Sequence, residues 1–322
     1  MPTRLEDLPN ELFLHLFSSY FDGAQLYKVF YGLNIRLNSI LRSLEHIHVR
    51  LENSDDDPCL NLFASKIISL FIDAKHKSIG FIPSLTNIQA ITLVNPTVVQ
   101  IMNLLQIGRN LHHVSIQWSN PYTPDLMSIR SFYELIFSAN ASESLRSCRF
   151  YLPESHSLYL EPRHCTLPLL RTVYVQVNYP LGDFRRIVRL CPNLTRLEME
   201  IIDNGYSNEE TIIICSHLDH IHLRRFYIHN LLSLDILDIY IEYLPNLEYL
   251  YISMKLPSHP VDVFKHISSL IHRFTHLKQF QFRLSTDFWN LDHQQLEMLR
   301  RLNPFFAHVH IEMDDDEIVF VN

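Results

Sequence analysis

The sequence predicts an α/β protein in which three short N-terminal helices precede a stack of strand-and-helix units. Two observations lead to this fold class. Between Leu8 and Leu44, apolar residues recur three and four positions apart in three separate runs, as on amphipathic helices. From Leu44 onward, an apolar-x-x-apolar-x-apolar pattern returns every 21 to 34 residues. Its last two apolar positions alternate as in a strand with one buried face.

The N-terminal helices carry recognisable start signals. Pro9 suits a first helical position, and Glu11 places negative charge where the helix dipole favours it. Asp22 is predicted to cap the second helix, with Gln25 as its capping-box partner. A segment of this size lies near the lower limit for independent folding. It is therefore either a docking module that gains from a partner or a plain helical cap on the rest of the chain.

The same segment resembles an F-box. The matching residues are Leu8, Pro9, Glu11, Leu16, Phe17, Asp22, Leu26, Phe30, Leu33 and Arg36. The Trp that this family often carries near the end of its third helix is absent, and Gln25-Leu26 stands where Asp-Leu is usual. The resemblance implies an F-box domain over residues 1–45, which binds the Skp-family adaptor of an SCF-type, cullin-based ubiquitin ligase. The residues expected to contact the adaptor are Leu8, Pro9, Leu12, Leu16, Leu26 and Phe30.

The apolar pattern from Leu44 onward is an internal repeat. Its first positions are Leu44, Ile67, Ile88, Leu111, Leu145, Leu170, Leu194, Leu218, Leu247, Leu277 and Phe306. One register is open, because a frame starting at Leu223 fits as well as the frame starting at Leu218. Helical stripes separate several of the strands, as at 126–136, 184–191, 264–274 and 296–302. Units this small cannot each bury a core, so neighbouring units must stack.

This repeat resembles an irregular leucine-rich-repeat array covering residues 46–322. The resemblance implies a solenoid with a parallel concave sheet and outer helices; an ordinary mixed α/β domain with unequal units is the alternative. Strand alternation then predicts which side chains face the concave side. Aromatic residues and Arg on such a strip suit protein recognition. The residues predicted to bind a protein substrate are Arg149, Tyr151, Tyr174, Arg196, His222, Tyr249, Tyr251 and Arg283.

The net charge, the apolar runs and the cysteine pattern argue against several classes of function. The net charge of −8 argues against a general nucleic-acid surface. No apolar run reaches the roughly eighteen residues of a membrane span, and the N-terminus lacks a secretory signal pattern. The five Cys include no Cys-x-x-Cys, so the default setting is reducing, cytoplasmic or nuclear. Cys191 falls at a repeat position that suits a small buried hydrophobe.

Catalytic and cofactor motifs are not found in the sequence. With six Gly there is no phosphate-binding loop, and no nucleophile-and-base arrangement has usable spacing. Three His-x-His pairs, at 46/48, 220/222 and 308/310, could each offer two ligands to a metal, but no third ligand is placed by the sequence. We therefore expect neither a cofactor nor enzymatic activity.

The leading hypothesis is a substrate-recognition subunit of an SCF-type ubiquitin ligase. The alternative is a leucine-rich-repeat scaffold or inhibitor that binds a protein without ubiquitination. A third, an enzyme hidden in an irregular α/β fold, needs a nucleophile and base that the sequence does not supply.

Overall fold

The computed structural model divides the chain into two compact units, Met1–Pro153 and Glu154–Asn322. The residues that the structure describes are 8–51, 58–73, 85–97, 99–101, 110–118, 144–151, 167–177, 180–202, 222–231, 233–255, 260–286, 293–314 and 317–321. The division into these two units is not the predicted boundary between the F-box domain and the repeat array at residues 45 and 46. That boundary stays a prediction.

The first unit begins with three helices, α1 (Asn10–Tyr20), α2 (Gly23–Phe30) and α3 (Ile35–Ser43). The predicted capping box of α2 is confirmed. The Gln25 amide donates to Asp22 Oδ1 at 2.8 Å, and the Asp22 amide donates to Gln25 Oε1 at 3.1 Å. Buried aromatic rings join α1 and α2, with the centroids of Phe17 and Phe30 4.6 Å apart. The helices thus share a small core of their own.

A parallel sheet comes after the helices. Its strands are β1 (Ile47–Leu51), β2 (Ile67–Asp73), β3 (Ala90–Val94), β4 (His113–Gln117) and β5 (Ser147–Tyr151), and each pairs in parallel with the next. Helix α4 (Pro58–Phe63) and a 3₁₀ turn (Ala64–Lys66) connect β1 to β2. Leu70, Ile91, Val114 and Cys148 lie side by side in the register and are all buried. The repeated apolar positions therefore form the interior row of the sheet.

The second unit repeats this plan with more helix. Its elements are β6 (Thr172–Val177), α5 (Pro180–Leu190), β7 (Arg196–Ile201), β8 (Arg225–Leu231), α6 (Leu234–Tyr243), β9 (Tyr249–Lys255), α7 (Pro260–Ile271), β10 (Gln279–Thr286), α8 (His293–Leu302), β11 (His310–Asp314) and β12 (Glu317–Val321). Strands β6 to β10 pair in parallel. Strand β12 lies antiparallel between β10 and β11. The last predicted repeat, which starts at Phe306, therefore does not pair directly with the one before it.

The helices of the second unit cover the apolar face of its sheet. Phe184 on α5 lies 5.7 Å from Phe226 on β8, measured between ring centroids. Phe264 on α7 lies 5.5 Å from Phe282 on β10. The predicted helical stripes at 184–191, 264–274 and 296–302 fall on α5, α7 and α8 or end just beyond them, whereas the stripe at 126–136 lies outside the described residues. The α/β class and the parallel sheet are confirmed, an arrangement consistent with a leucine-rich-repeat solenoid.

The structure decides the register that the sequence left open, and it corrects the placement of His222. Strand β8 runs from Arg225 to Leu231, so the frame starting at Leu223 is the one used, not the frame starting at Leu218. The amides of Arg224 and Arg225 both donate to the Thr195 carbonyl, at 3.0 Å each, which aligns β8 with β7. His222 consequently lies in the turn before the strand and not on the sheet.

Candidate functional site

One face of the second unit's sheet is not covered by the helices, since buried residues alternate along each strand with partly exposed ones. We call this the open face. Its side chains on β6 to β10 are Thr172, Tyr174, Gln176, Arg196, Glu198, Glu200, Arg225, Tyr227, His229, Tyr249, Tyr251, Ser253, Lys255, Gln279, Gln281 and Arg283. Five of the predicted substrate-binding residues are in this set: Tyr174, Arg196, Tyr249, Tyr251 and Arg283.

A cluster of aromatic rings occupies the middle of the open face. The Tyr227 ring centroid lies 4.8 Å from that of Tyr249 and 6.3 Å from that of Tyr251, and the His229 ring lies 5.0 Å from the Tyr251 ring. The Arg196 guanidinium lies over Tyr227, 4.4 Å from the ring centroid. We call Tyr227, Tyr249 and Tyr251 the tyrosine strip. Rings held by their neighbours lose little rotamer entropy when a partner covers them.

The sequence prediction missed Tyr227 and His229. Both were excluded by the frame starting at Leu218, which placed His220 and His222 on the strand instead. The competing frame, Leu223/Phe226/Ile228, was the signal that could have found them, because it puts Tyr227 and His229 between the buried positions of β8. His220 lies outside the described residues.

Burial raises the pKa of two tyrosines of the strip, Tyr249 and Tyr251. Desolvation raises the pKa of Tyr249, and the neighbouring Tyr227 and Tyr251 raise it further. Desolvation also raises the pKa of Tyr251, although the nearby Arg283 opposes this. The hydroxyls therefore stay protonated at physiological pH and can donate hydrogen bonds, as the Tyr249 hydroxyl does to Gln281 Oε1.

Both carboxylates of the open face are already engaged within the protein. Glu198 Oε2 accepts from Arg196 at 3.2 Å, and Glu198 Oε1 lies 3.4 Å from His229 Nε2. His229 first, and then Arg196, lower the pKa of Glu198 against the opposing effect of burial. Glu200 Oε2 accepts from the Tyr174 hydroxyl at 2.6 Å and from Gln176 Nε2 at 2.9 Å. Tyr174 itself is only 7 % exposed, so it holds Glu200 in place and offers little surface to a partner.

The remaining predicted residues, Arg149 and Tyr151, lie on β5 of the first unit. Their side chains interact, with the Arg149 guanidinium 5.8 Å from the Tyr151 ring centroid. Because they belong to a different compact unit from the tyrosine strip, they are not counted as part of the open face.

A second candidate surface lies on the N-terminal helices. Among the described residues, six of the nine large apolar side chains that are exposed fall between residues 12 and 35. They are Leu12, Tyr20, Val29, Tyr31, Leu33 and Ile35, which we call the N-terminal apolar set. Ile35 is 89 % exposed, Tyr20 72 % and Leu33 63 %. Such a concentration of apolar side chains in water is typical of an interaction site.

The predicted adaptor-binding residues divide between this surface and the interior. Leu12 and Pro9 are exposed, and Leu8 and Leu16 are half-buried. Leu26 and Phe30 are instead buried, at 1 % and 8 % exposure. These two side chains fill the core between the helices, so they support the fold and are not available to a partner.

Among the described residues, the other polar groups do not assemble into a recognisable reactive site. A cleft of about 740 Å³ lies at the amino ends of β1 to β4 and is lined by polar residues, including His46, Lys66 and His112. Within the described part of the chain, no group of three or more His, Cys, Asp or Glu side chains could hold a metal ion. No helix among the described residues is long and apolar enough to cross a membrane.

Comparison with known proteins adds little. No protein-family model matches the sequence, and no curated protein matches it. A chain in the crystal structure of the TLR13–ssRNA13 complex matches 83% of this chain with a TM-score of 0.41 and 12% sequence identity. The matched region spans 35% of that chain, so the match covers only about a third of its length. A likeness this weak carries no conclusion about function.

Proposed function

We propose that this chain is a substrate-recognition subunit of an SCF-type ubiquitin ligase. Its N-terminal helices act as an F-box that binds a Skp-family adaptor, and through it a cullin complex. The open face of the second unit binds a protein substrate. The chain itself performs no chemistry, since its contribution is to hold the substrate near the ubiquitin-charged enzyme.

The N-terminal apolar set carries this proposal. Exposed apolar side chains are costly in water, and here they lie on three short helices and the turn between α2 and α3, in the segment that matches the F-box pattern. A plain helical cap would turn its apolar residues inward. Leu26 and Phe30 do this, but Leu12, Leu33 and Ile35 do not. Burying these three side chains against an adaptor would remove their contact with water.

Adaptor capture tests the proposal. We expect the immobilised full-length chain to capture a purified Skp-family adaptor, and Leu12→Asp with Ile35→Asp to weaken capture at least about tenfold. Val99→Asp is the matched control, because Val99 is also strongly exposed (66 %) but lies outside the three N-terminal helices. Circular dichroism checks that each variant is folded. Failure of the unmodified chain to capture the adaptor, or an equal loss in the control, contradicts the proposal.

Two observations favour a second candidate, a scaffold or inhibitor that binds a protein without ubiquitination. The Trp often found near the end of the third F-box helix is absent, and two of the expected contact residues are buried. This candidate predicts that the chain binds a specific protein partner but does not capture the adaptor.

A further inference from the structure

The open face differs in charge from the chain as a whole. Its described residues include four cations, Arg196, Arg225, Lys255 and Arg283, and two carboxylates, Glu198 and Glu200. With His neutral, these side chains sum to +2, while the whole chain carries −8. A net positive strip on an acidic protein attracts negatively charged partners to that strip and repels them elsewhere.

The cations of the open face are more accessible to a partner than its carboxylates. Glu198 is half-buried, its side chain 18% exposed, and is held between Arg196 and His229. Glu200 is held by Tyr174 and Gln176. Arg225, Lys255 and Arg283 are instead exposed. The carboxylates thus serve to fix the surface, and the cations face the solvent.

The tyrosine strip lies among these cations. In the sheet register, Arg225 is beside Tyr249, and Tyr251 is beside Gln281. Lys255 and Arg283 lie farther along β9 and β10. Successive outward residues on a strand are about 7 Å apart, and an extended peptide presents its side chains at the same interval. A peptide running along these strands could therefore place acidic side chains near the cations and apolar side chains on the tyrosine rings.

We propose that the open face binds an extended acidic segment of a partner protein. Its carboxylates contact Arg225, Lys255 and Arg283, and an aromatic or aliphatic side chain packs on the tyrosine strip. This inference rests on the proposed function for its biological role, since the segment would belong to the ubiquitination substrate. The binding chemistry itself does not depend on the adaptor.

The first test is direct binding to the full-length chain, measured by fluorescence anisotropy. The probe is a short fluorescein-labelled peptide in which Glu and Phe take turns at every second position, with Ser between them, so that both kinds of side chain face the same side of the extended chain; the matched peptide has Gln in place of Glu. We expect the Glu peptide to bind at least about tenfold more tightly than the Gln peptide. Its affinity should fall as NaCl is raised from about 0.01 M to about 0.15 M, because exposed charges are screened.

Substitutions locate the site. Arg225→Gln with Arg283→Gln should weaken binding of the Glu peptide about tenfold, and Tyr227→Ala should weaken binding of both peptides. Lys265→Gln is the control, because Lys265 is an exposed cation on α7. Its removal should change affinity by less than about twofold. Thermal melting confirms that the variants are folded.

Several results overturn the inference. They are equal binding of the Glu and Gln peptides, no binding of either, an equal loss in the Lys265 variant, or tighter binding of a single-stranded RNA oligonucleotide than of the Glu peptide. The adaptor-capture experiment distinguishes failure of the acidic-segment inference from failure of the proposed function. If the chain captures the adaptor but not the peptide, the substrate class is wrong; if it binds the peptide but not the adaptor, the ubiquitin-ligase role is wrong.

Discussion

Replacing Gly23 by Ala is expected to destabilise the first unit, because this glycine lets α2 approach β1. A Cβ atom at position 23 would lie 2.7 Å from Val49 Cγ2 and 2.9 Å from Ile47 Cγ2. Both distances are shorter than real Cβ contacts allow. Val and Ile are β-branched and have few alternative χ1 rotamers, so neither methyl group can easily turn away. The helix or the strand must move instead.

The size of the effect depends on two opposing terms. Overpacking a well-packed contact costs about 1–3 kcal/mol. Against this, Gly→Ala reduces the entropy of the unfolded chain, which contributes about 0.4–1 kcal/mol to stability. We therefore expect a net loss of about 1–2 kcal/mol in the free energy of unfolding. For a unit of this size, that loss lowers the melting temperature by about 2–8 °C.

Thermal denaturation followed by circular dichroism measures the shift. Gly32→Ala is the comparison variant, since a Cβ there meets nothing within 4 Å but the backbone has φ +87°. It should destabilise by about 1 kcal/mol through backbone strain. Val49→Ala removes the nearest clashing atom, so it should offset part of the Gly23→Ala cost, with a coupling of at least about 0.5 kcal/mol, and leave the Gly32→Ala cost unchanged.

The same variants report whether the helices and the sheet unfold together. If they form one cooperative unit, Gly23→Ala should speed amide hydrogen exchange in β1 as well as in α2. A neutral or stabilising effect of Gly23→Ala refutes the packing argument. So does strict additivity of Gly23→Ala and Val49→Ala.

Two further predictions concern titratable groups of the second unit. Because its partners lower the pKa of Glu198 in the folded state, its contribution to stability is present above its ordinary pKa of 4.5 and is lost as the pH falls through the lowered value. Glu198→Gln should therefore flatten the dependence of unfolding free energy on pH below about pH 4.5. Urea denaturation at a series of pH values measures this free energy, and the same pH dependence in the variant as in the unmodified chain contradicts the prediction. Burial raises the pKa of the Cys191 thiol to about 12, so only about one part in 10⁴ is thiolate at pH 8. Mass spectrometry should find Cys191 unmodified by iodoacetamide in the native chain and modified in guanidinium; native labelling contradicts the buried position.

Features set by local sequence were predictable. The capping box at Asp22 and Gln25 depends on residues three positions apart, so the pattern alone located it. The burial of Cys191, now confirmed, was expected from its position in the repeat. Most strands were predicted for the same reason, because the alternating apolar positions of each strand lie within one short segment of the sequence.

Features set by competition between segments were not predictable. Near β8, two apolar frames fit the sequence equally well, and only the alignment with Thr195, the residue just before β7, decides between them. The choice moved Tyr227 and His229 onto the open face and His222 off it. On the N-terminal helices, the apolar stripe contained both core and surface residues. Periodicity could not show that Leu26 points inward while Ile35 is exposed, because that depends on how three helices pack.

The position of β12 determines when the sheet of the second unit can be completed during synthesis of the chain. Strands β7 to β10 add one after another, each beside the strand that precedes it in the chain. Strand β11 breaks this sequence, because its partner in the sheet is β12, which comes later in the chain. The edge of β10 that pairs with β12 also stays unpaired until β12 has been synthesised. The sheet of the second unit therefore cannot be completed on the ribosome until residues 317–321 have emerged, and a ribosome stalled before them would hold a chain with an unpaired and adhesive strand edge.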